Sequence, residues 1–229
     1  LQHYHMSAAA FKHSPSELKL SPEVYRRYEE VVKECGHCNK EQVRPQRSRV
    51  SGLRANIFGD LVFLDHADVK IRDKVYVVLI IMDAATSFLT SFAQKTKTDE
   101  DTLEQLREWM ETYQCAPKAV CADMAFSTPV FQEFYRTHHI KPMVTGPATP
   151  WPNRAEAAVR LFKQHLSRFL AEVAKDPELR STTPRSLFRK AAMARNTTVT
   201  YGGKAPLELA MGRRPKDIIT VEHQDPEQL

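Results

Sequence analysis

The sequence predicts a mixed α/β fold, in which three consecutive strands are followed by alternating helices and strands. Residues 75–82 form a β-branched, apolar run bounded by charged residues, which is typical of a buried strand. Shorter apolar runs at 61–64 and 88–92 predict two neighbouring strands. Residues 98–113 then repeat apolar side chains at helical spacing. Because three strands precede the first of these helices, the pattern argues against a purely parallel, doubly wound sheet.

The remaining elements follow from capping residues and short apolar runs. Ser21 and Pro22 open a helix near the N-terminus, Thr98 opens the helix after the third strand, and Pro117 ends it. Further along, the sequence predicts strands at 119–122 and 140–144, a helix from Thr128, a Pro-rich loop at 145–152, a long helix at about 153–173, and helices at 188–195 and 206–211. The chain therefore closes on helices after its last strand.

Length and composition are those of an ordinary globular protein. The chain has 229 residues, 42% hydrophobic and 27% charged, which predicts one large domain with a small one beside it. Lys and Arg number 33 and Asp and Glu number 28, and this excess of +5 permits a nucleic-acid partner without requiring one. Four cysteines are too few for a disulfide framework, and no apolar run is long enough to span a membrane. The Gly-rich motifs of nucleotide-binding enzymes are missing.

Composition divides the chain into four segments. Residues 1–42 form a histidine-rich head that also contains a Cys-x-x-Cys pair, and residues 43–57 form a basic, proline-containing linker. Residues 58–215 hold every predicted strand and form the core, which residues 216–229 extend. The linker is open to two interpretations, a solvated connection or a connection that also contacts phosphate groups.

Three acidic residues lie where predicted strands end or a predicted helix begins. Asp65 ends the first strand, Asp123 comes directly after the strand at 119–122, and Glu156 lies in the first turn of the long helix. Carboxylates that converge at such positions repel one another unless a cation lies between them. Mg²⁺ prefers oxygen ligands, and two such ions about 4 Å apart can activate water and stabilise a leaving oxygen. The three acids are therefore candidate ligands for Mg²⁺ or Mn²⁺.

The long helix adds two cations on the side that carries Glu156. Arg160 and Lys163 follow it by four and seven residues, spacings that place all three side chains on one helical face. One interpretation is an ordinary solvated face with salt bridges. The other is a surface on which the carboxylate holds a metal ion and the cations hold the phosphates of a DNA strand.

Taken together, these residues resemble the core of retroviral and retrotransposon integrases. The resemblance is carried by Phe63-Leu64-Asp65, residues 75–83, Ala122-Asp123, and Asn153-Arg154-Ala155-Glu156 with Arg160 and Lys163. Residues 191–215 are similar to the segment that closes this core in long-terminal-repeat retrotransposons, with marks at Asn196-Thr197-Thr198, Pro206, Leu209 and Gly212-Arg213-Arg214-Pro215. Asp65 and Asp123 are 58 residues apart, and Asp123 and Glu156 are 33 apart, as suits the family. The order and spacing of these motifs carry the resemblance, which covers about residues 1–215.

The resemblance implies an RNase H-like fold, a mixed five-stranded sheet flanked by helices. It also implies that Asp65, Asp123 and Glu156 are a catalytic triad for two Mg²⁺ or Mn²⁺ ions, and that Arg160 and Lys163 contact DNA ends. The implied activity is 3′-end processing of element DNA and its strand transfer into target DNA. The implied state is a homo-oligomer, a dimer or tetramer, released from a larger polyprotein. Its implied location is the nucleus during integration and otherwise a cytoplasmic particle, with no membrane partner.

The head is similar to the zinc module that precedes the core in this family. Cys35 and Cys38 lie at the end of a predicted helix and suit one side of a tetrahedral zinc site. His13 is the third candidate ligand. The residues at the usual short gap before it are Ser and Ala, so His5 or His3 has to supply the fourth ligand from further away. The head is therefore expected to be a small helical zinc-binding domain, and the alternative is a Cys-x-x-Cys pair without metal.

The core departs from the family pattern after two of the three acids. Asp123 is followed by Met124-Ala125-Phe126 where the family commonly has Asn-Gly, and we expect a changed turn there. Asp65 is followed by His66 and Asp68, not by small or hydroxyl residues. We interpret His66 as a surface side chain and not as a metal ligand.

Four other residues of the core are given no catalytic role. Asp60 and Asp83 are spare acids near strand ends, and Asp60 ranks below Asp65 because it would need a register shift of five residues. Cys115 and Cys121 are interpreted as small buried hydrophobic residues.

Two functions remain beside an active integrase. The departures also fit a catalytically inactive or repurposed integrase that binds DNA. A different RNase H-like nuclease or a cut-and-paste transposase is the third reading, against which the retroelement-like tail and the Cys-x-x-Cys head argue. Metal-dependent strand transfer discriminates the first reading from the second.

Overall fold

The structure, a computed structural model, describes residues 8–12, 20–36, 55–145, 154–175, 181–198 and 203–213. Its helices are α1 (Ala8–Lys12), α2 (Pro22–Glu34), α3 (Asp99–Tyr113), α4 (Pro129–Thr137), α5 (Arg154–Lys175), α6 (Pro184–Thr198) and α7 (Pro206–Met211). Its strands are β1 (Val62–Ile71), β2 (Lys74–Asp83), β3 (Leu89–Gln94), β4 (Ala119–Ala122) and β5 (Lys141–Val144), and a 3₁₀ helix at Met124–Phe126 follows β4. The described helices include none that is long and apolar enough to cross a bilayer.

The strands form one mixed sheet in the order β3-β2-β1-β4-β5. β1, β2 and β3 pair as an antiparallel meander, while β4 runs parallel to β1 and β5 runs parallel to β4. The switch from antiparallel to parallel pairing occurs at β1, where helical crossovers replace hairpins. The mixed five-stranded sheet flanked by helices is therefore confirmed.

The first strand is longer than the sequence predicted, and this changes the place of Asp65. β1 continues to Ile71, so Asp65 is its fourth residue and the prediction that it ends the strand is wrong. Beyond Asp65 the side chains alternate, with Ala67, Val69 and Ile71 buried and Asp68 and Lys70 exposed. This period of two is the mark of a strand with one covered face, and a search for a continuous apolar run does not detect it.

Helices cover both faces of the sheet. On one side, here called the α5 face, α5 and α6 pack against the strands, with Phe63, Ile80, Phe162, Leu166 and Phe188 among the buried residues. On the other side, the α3 face, α3 and α4 contribute Leu106, Trp109 and Phe131 against Leu64 and Leu79 of the sheet. Neighbouring residues of β1 thus belong to opposite layers of the core.

Local hydrogen bonds explain where the helices on the α3 face begin and end. The side chain of Thr98 accepts from the N–H of Asp101, and the side chain of Thr128 accepts from the N–H of Phe131, as expected of N-caps. The prediction that helix α3 extends to Pro117 is wrong. The helix ends at Tyr113, because Gln114 adopts a left-handed conformation with φ of 48°.

Asp83 is a buried structural acceptor, whereas the sequence suggested only a spare acid. Its carboxylate accepts from the N–H of Gly59 at 3.0 Å and from the N–H and hydroxyl of Thr86 at 2.8 and 2.6 Å. Gly59 has φ of +84°, and Cys115 packs so closely against it that no side chain fits there. Cys115 is partly exposed, so the prediction that it is buried is wrong, while Cys121 is buried as predicted.

Helix α6 closes the free edge of β3. The Asn196 side chain accepts from the N–H of Leu89 at 2.9 Å and donates to its carbonyl at 2.8 Å. The Arg195 guanidinium donates to the carbonyl of Ser87 at 2.6 Å. Asn196 thereby makes the two backbone hydrogen bonds that another strand would make at this edge.

Candidate active site

Asp65 lies on β1, and Asp123 directly follows β4, the parallel strand beside it. β1 pairs with β4 through Val62 opposite Val120 and Phe63 opposite Cys121, and Asp65 and Asp123 each lie two residues beyond the second of these pairs. The backbone of Asp123 is still extended, with φ of −74° and ψ of 179°. Since every second residue of a strand points to the same side, Asp65 belongs to the α5 face with Phe63, while Asp123 lies at the end of β4 and its charge acts on both Asp65 and His66.

The Asp123 side chain caps the turn that replaces the expected Asn-Gly. Its Oδ1 accepts from the N–H of Ala125 at 3.0 Å, which begins the 3₁₀ helix at Met124–Phe126. The same turn is closed by a backbone hydrogen bond from the N–H of Phe126 to the carbonyl of Asp123 at 3.2 Å. The chain therefore makes this turn without glycine, and Asp123 follows β4 as predicted.

Helix α5 brings Glu156 and Lys163 within electrostatic reach of Asp65. Ala158 and Phe162 of this helix are buried in the α5 face beside β1. Burial raises the pKa of the Asp65 carboxyl above its usual range, and the charges of Asp123 and Glu156 raise it further. The backbone N–H of His66 and the charge of Lys163 lower the same pKa. Two of the predicted acids, Asp123 and Glu156, and one of the two predicted cations, Lys163, thus change the pKa of the third acid, Asp65.

Arg160, the other predicted cation, is also on α5 and is exposed. It lies one helical turn from Glu156 and three residues before Lys163, so the three charged side chains follow one side of the helix as the sequence predicted. All three are exposed, which leaves them accessible to a ligand that approaches from solvent.

The donor set suits a divalent cation by its chemistry. Asp65, Asp123 and Glu156 offer carboxylate oxygens, the ligands that Mg²⁺ and Mn²⁺ prefer. The pKa of Asp65 is raised first by burial and then by the charges of Asp123 and Glu156, and a bound cation would favour its charged form. Over the ranges that the structure covers, however, no three His, Cys, Asp or Glu side chains form a group able to hold a metal ion. The acids are coupled by charge, and their oxygens have to draw closer together to share an ion.

His66 is not the surface side chain that the sequence predicted. It is half-buried on the α3 face, where its ring stacks on Phe126 with centroids 4.8 Å apart and its Nε2 lies 3.2 Å from the hydroxyl of Thr102. Burial lowers the pKa of His66, and the charge of Lys97 lowers it further. The position of His66 in the sequence could have predicted this. A residue that directly follows Asp65 in a strand points to the opposite face of the sheet.

Asp60, the spare acid five residues before Asp65, has a different role. Its carboxylate accepts from the N–H groups of Asn56 and Ile57, both at 3.0 Å, and pairs with Lys118 at 2.7 Å. The hydrogen bond from Lys118 and those from the two backbone N–H groups lower the pKa of Asp60 to about 2. Asp60 therefore stabilises the loop before β1.

The predicted zinc site lies mostly outside the described residues. His5, His13 and Cys38 are not among them, while Cys35 follows α2 as its C-cap and its N–H donates to the carbonyl of Val32 at 3.3 Å. Zinc binding by the head stays a prediction. The described part of the head packs α1 on α2 through Phe11, whose ring stacks on Tyr28 with centroids 4.0 Å apart.

No family model and no curated protein sequence matches this chain. Among solved structures, it is similar to the magnesium complex of the HTLV-2 integrase catalytic core domain in dimeric form, with a TM-score of 0.56 and 17% identity over 70% of this chain and 100% of that one. It is similar to a chain of the simian T-cell lymphotropic virus intasome in complex with PP2A regulatory subunit B56 gamma, with a TM-score of 0.65 and 15% identity over 94% of this chain and 72% of that one.

The catalytic core domain of BIV integrase is a third similar structure, with a TM-score of 0.53 and 13% identity over 67% of this chain and 95% of that one. Identities this low report on architecture and not on chemistry. The sheet order, the two helical layers and these three likenesses lead to one conclusion: the chain has the RNase H-like fold of retroviral integrase catalytic cores.

Proposed function

We propose that this chain is a retroelement integrase, a divalent-metal-dependent polynucleotidyl transferase that processes the 3′ ends of element DNA and joins them to target DNA. The observation that carries the proposal is that Asp65 lies on β1 while Asp123 directly follows β4, the strand that pairs with β1 in parallel. Glu156 and Lys163 both change the pKa of Asp65, so a third carboxylate and a cation act at the same place. This set has the composition needed to bind metal ions and a phosphate together.

In this proposal the protein positions the reactants and balances charge. Asp65, Asp123 and Glu156 are the residues that hold Mg²⁺ or Mn²⁺, two ions in all. The bound ions supply activation of the attacking hydroxyl and stabilisation of the leaving oxygen. Asp65 on β1 and Asp123 after β4 would set where these ions are held, and positioning of this kind accounts for a large share of phosphoryl-transfer catalysis.

The cations of α5 are proposed to bind the DNA backbone beside the carboxylates. Lys163 already acts electrostatically on Asp65, so a phosphate held by its ammonium group lies next to the proposed metal ligands. Arg160 lies three residues away on the same exposed side and extends the contact along the strand. We further propose that the chain acts as a homo-oligomer, since the similar integrase cores include dimeric and trimeric forms and one belongs to an intasome.

A strand-transfer assay with the whole chain tests the proposal. A labelled blunt duplex with free 3′ hydroxyls is incubated with supercoiled plasmid and Mn²⁺ or Mg²⁺. We expect the label to become joined to the plasmid, and EDTA to prevent this. Asp123→Asn is expected to lower the yield by about a thousandfold or more, since metal-ion catalysis supplies several kcal/mol and 1.36 kcal/mol is a tenfold change in rate. The asparagine oxygen can still accept from the N–H of Ala125, so the turn is retained.

Asp73→Asn is the matched control, because Asp73 lies fully exposed in the β1–β2 turn. This variant should retain the activity of the parent chain. Transfer that persists in Asp123→Asn would show that the acids are assigned wrongly. A parent chain that binds DNA and transfers no strand would instead support the inactive, DNA-binding reading.

A further inference from the structure

The position of Asp123 depends on Phe126, which lies three residues further on. The 3₁₀ helix between them is short, and both of its hydrogen bonds to Asp123 come from Ala125 and Phe126. Phe126 is buried in the α3 face, with its ring 5.7 Å from that of Phe131. Its carbonyl also accepts from the hydroxyl of Tyr135 at 3.3 Å. The packing of the Phe126 ring and the hydrogen bond to its carbonyl thus anchor the C-terminal end of the turn that begins at Asp123.

His66 holds the other side of the Phe126 ring. The two rings are nearly parallel, with an interplanar angle of 21° and centroids 4.8 Å apart. A stack of this kind fixes both the tilt and the depth of the Phe126 side chain. The two departures from the integrase pattern, the histidine after Asp65 and the Met-Ala-Phe sequence after Asp123, thus contact each other.

The His66 ring is itself held in one orientation. The hydroxyl of Thr102 donates to the carbonyl of Thr98 at 2.8 Å, so its only proton is used. It accepts from Nε2 of Gln94 at 3.1 Å, and its second acceptor site faces Nε2 of His66 at 3.2 Å. Nε2 of His66 must therefore be the donor in this contact, which fixes the tautomer and the plane of the ring.

We propose that His66 is a positioning residue: its ring, oriented by Thr102, clamps Phe126 and so holds the turn that aims the Asp123 carboxylate toward Asp65. Strand alternation makes this possible, because β1 carries Asp65 on the α5 face and His66 on the α3 face. In this proposal β1 places Asp65 directly, and it places Asp123 indirectly, through the contact of His66 with Phe126 on the other side of the sheet. The purpose of this placement rests on the proposed function, but the placement can be measured without DNA or metal.

The test compares His66→Ala, which removes the ring, with His66→Phe, which keeps the stack and loses the bond to Thr102. His138→Ala is the control, because the His138 ring packs on Phe134 of the same α3 face at 4.4 Å and has no part in the Asp123 turn. The first readout is amide hydrogen exchange in the metal-free chain. We expect faster exchange at Ala125 and Phe126 in His66→Ala, partial recovery in His66→Phe, and parent rates in His138→Ala.

The second readout is Mn²⁺ binding by calorimetry. Residues that orient a metal ligand typically change affinity by about 10- to 100-fold, so we expect a Kd about tenfold weaker in His66→Ala. Strand transfer, where present, should lose kcat with an unchanged KM for DNA, because His66 lies on the side of the sheet away from Lys163.

Two outcomes separate this inference from the proposed function. Parent exchange rates at Ala125 and Phe126 in His66→Ala, or a uniform rise that includes Val120 of β4, would overturn the positioning role whatever the activity. A local rise with weaker Mn²⁺ binding, in a chain that transfers no DNA, would support the positioning role while the proposed function fails.

Discussion

The two faces of the sheet differ in how they treat polar groups. On the α3 face, Thr102 is buried and has every hydrogen-bonding site of its hydroxyl occupied. On the α5 face, burial raises the pKa of Asp65, and the charges of Asp123 and Glu156 raise it further. The Thr102 hydroxyl is therefore satisfied within the protein, whereas the Asp65 carboxylate is a charge that a bound cation would stabilise.

Strand β1 contributes side chains both to the packed core and to the candidate active site. Leu64 and His66 of β1 pack into the α3 face, while Phe63 and Asp65 point to the α5 face. A register slip of one residue would exchange the two sets. The packing of Leu64 and Phe63 into opposite core layers therefore fixes the register on which the position of Asp65 depends.

The largest effect is expected from a break in the packing of the α3 face. Trp109 is 1% exposed, and its ring stacks on Phe58 with centroids 5.5 Å apart. Trp109→Ala leaves a cavity and should lower the free energy of unfolding by about 3–5 kcal/mol, measured by urea denaturation. A loss below about 1 kcal/mol, the range of a surface substitution, would contradict the placement of Trp109 in the packed core of this face.

How far the sequence predicts this molecule depends on the range of each interaction. The strands around residues 75–82 and the N-caps at Thr98 and Thr128 follow from local patterns, and the structure has them. The outer half of β1 was missed because its polar residues alternate with apolar ones. Local patterns are therefore sufficient for most elements and insufficient for their lengths.

Contacts between distant segments escape this kind of reasoning altogether. Asn196 meets Leu89 across 107 residues, and Asp83 meets Gly59 across 24. Asp65 and Asp123 are proposed from the sequence because each follows a short apolar run that predicts a strand, although β1 continues past Asp65 to Ile71 and only Asp123 lies at a strand end. Nothing in the sequence indicates that Thr102 and Phe126 both contact His66, since that requires α3 and the 3₁₀ helix to be placed in space first.

A second prediction concerns the edge strand that the two faces share. Asn196→Ala removes the donor and the acceptor that satisfy the backbone of Leu89. Leaving a buried backbone group unpaired costs about 1–3 kcal/mol, so we expect a loss of stability in that range by urea denaturation. Asn196→Leu is the comparison variant, because it fills a similar volume and makes neither hydrogen bond. Parent stability in Asn196→Leu would show that the loss in Asn196→Ala comes from the cavity and not from the two hydrogen bonds.

A third prediction compares two acids of opposite environment. The folded-state pKa of Asp65 is raised, so the folded state binds a proton more readily than the unfolded state, and the charged carboxylate costs stability at neutral pH. Asp65→Asn should therefore be more stable than the parent chain at neutral pH, and the difference should disappear as the pH falls below the ordinary range of aspartate. Urea denaturation at several pH values measures it.

Asp60 should behave in the opposite way. Its pKa of about 2 means that its charge stabilises the fold above the ordinary aspartate range, and that this contribution is lost as the pH falls toward about 2. Asp60→Asn should thus be less stable than the parent chain at neutral pH. Carboxyl NMR titration provides the direct check, and Mg²⁺ should lower the pKa of Asp65 and leave that of Asp60 unchanged. An unchanged pKa of Asp65 in the presence of Mg²⁺ would place the ion away from the α5 face.

The smallest effect is expected from substitution of Lys163, measured as a change in the salt dependence of DNA binding. This substitution tests whether the α5 face binds DNA. Lys163→Gln removes one exposed positive charge without touching the core. If Lys163 contacts a phosphate, each such contact contributes about 0.9 to the slope of log affinity against log salt, so the slope should fall by about that amount. Lys141→Gln is the control, because Lys141 is an equally exposed cation that begins β5. Fluorescence anisotropy with a labelled duplex at several salt concentrations measures both slopes. Equal slopes for the two variants would mean that the charge of Lys163 serves only to compensate Asp65, and that the DNA path lies elsewhere.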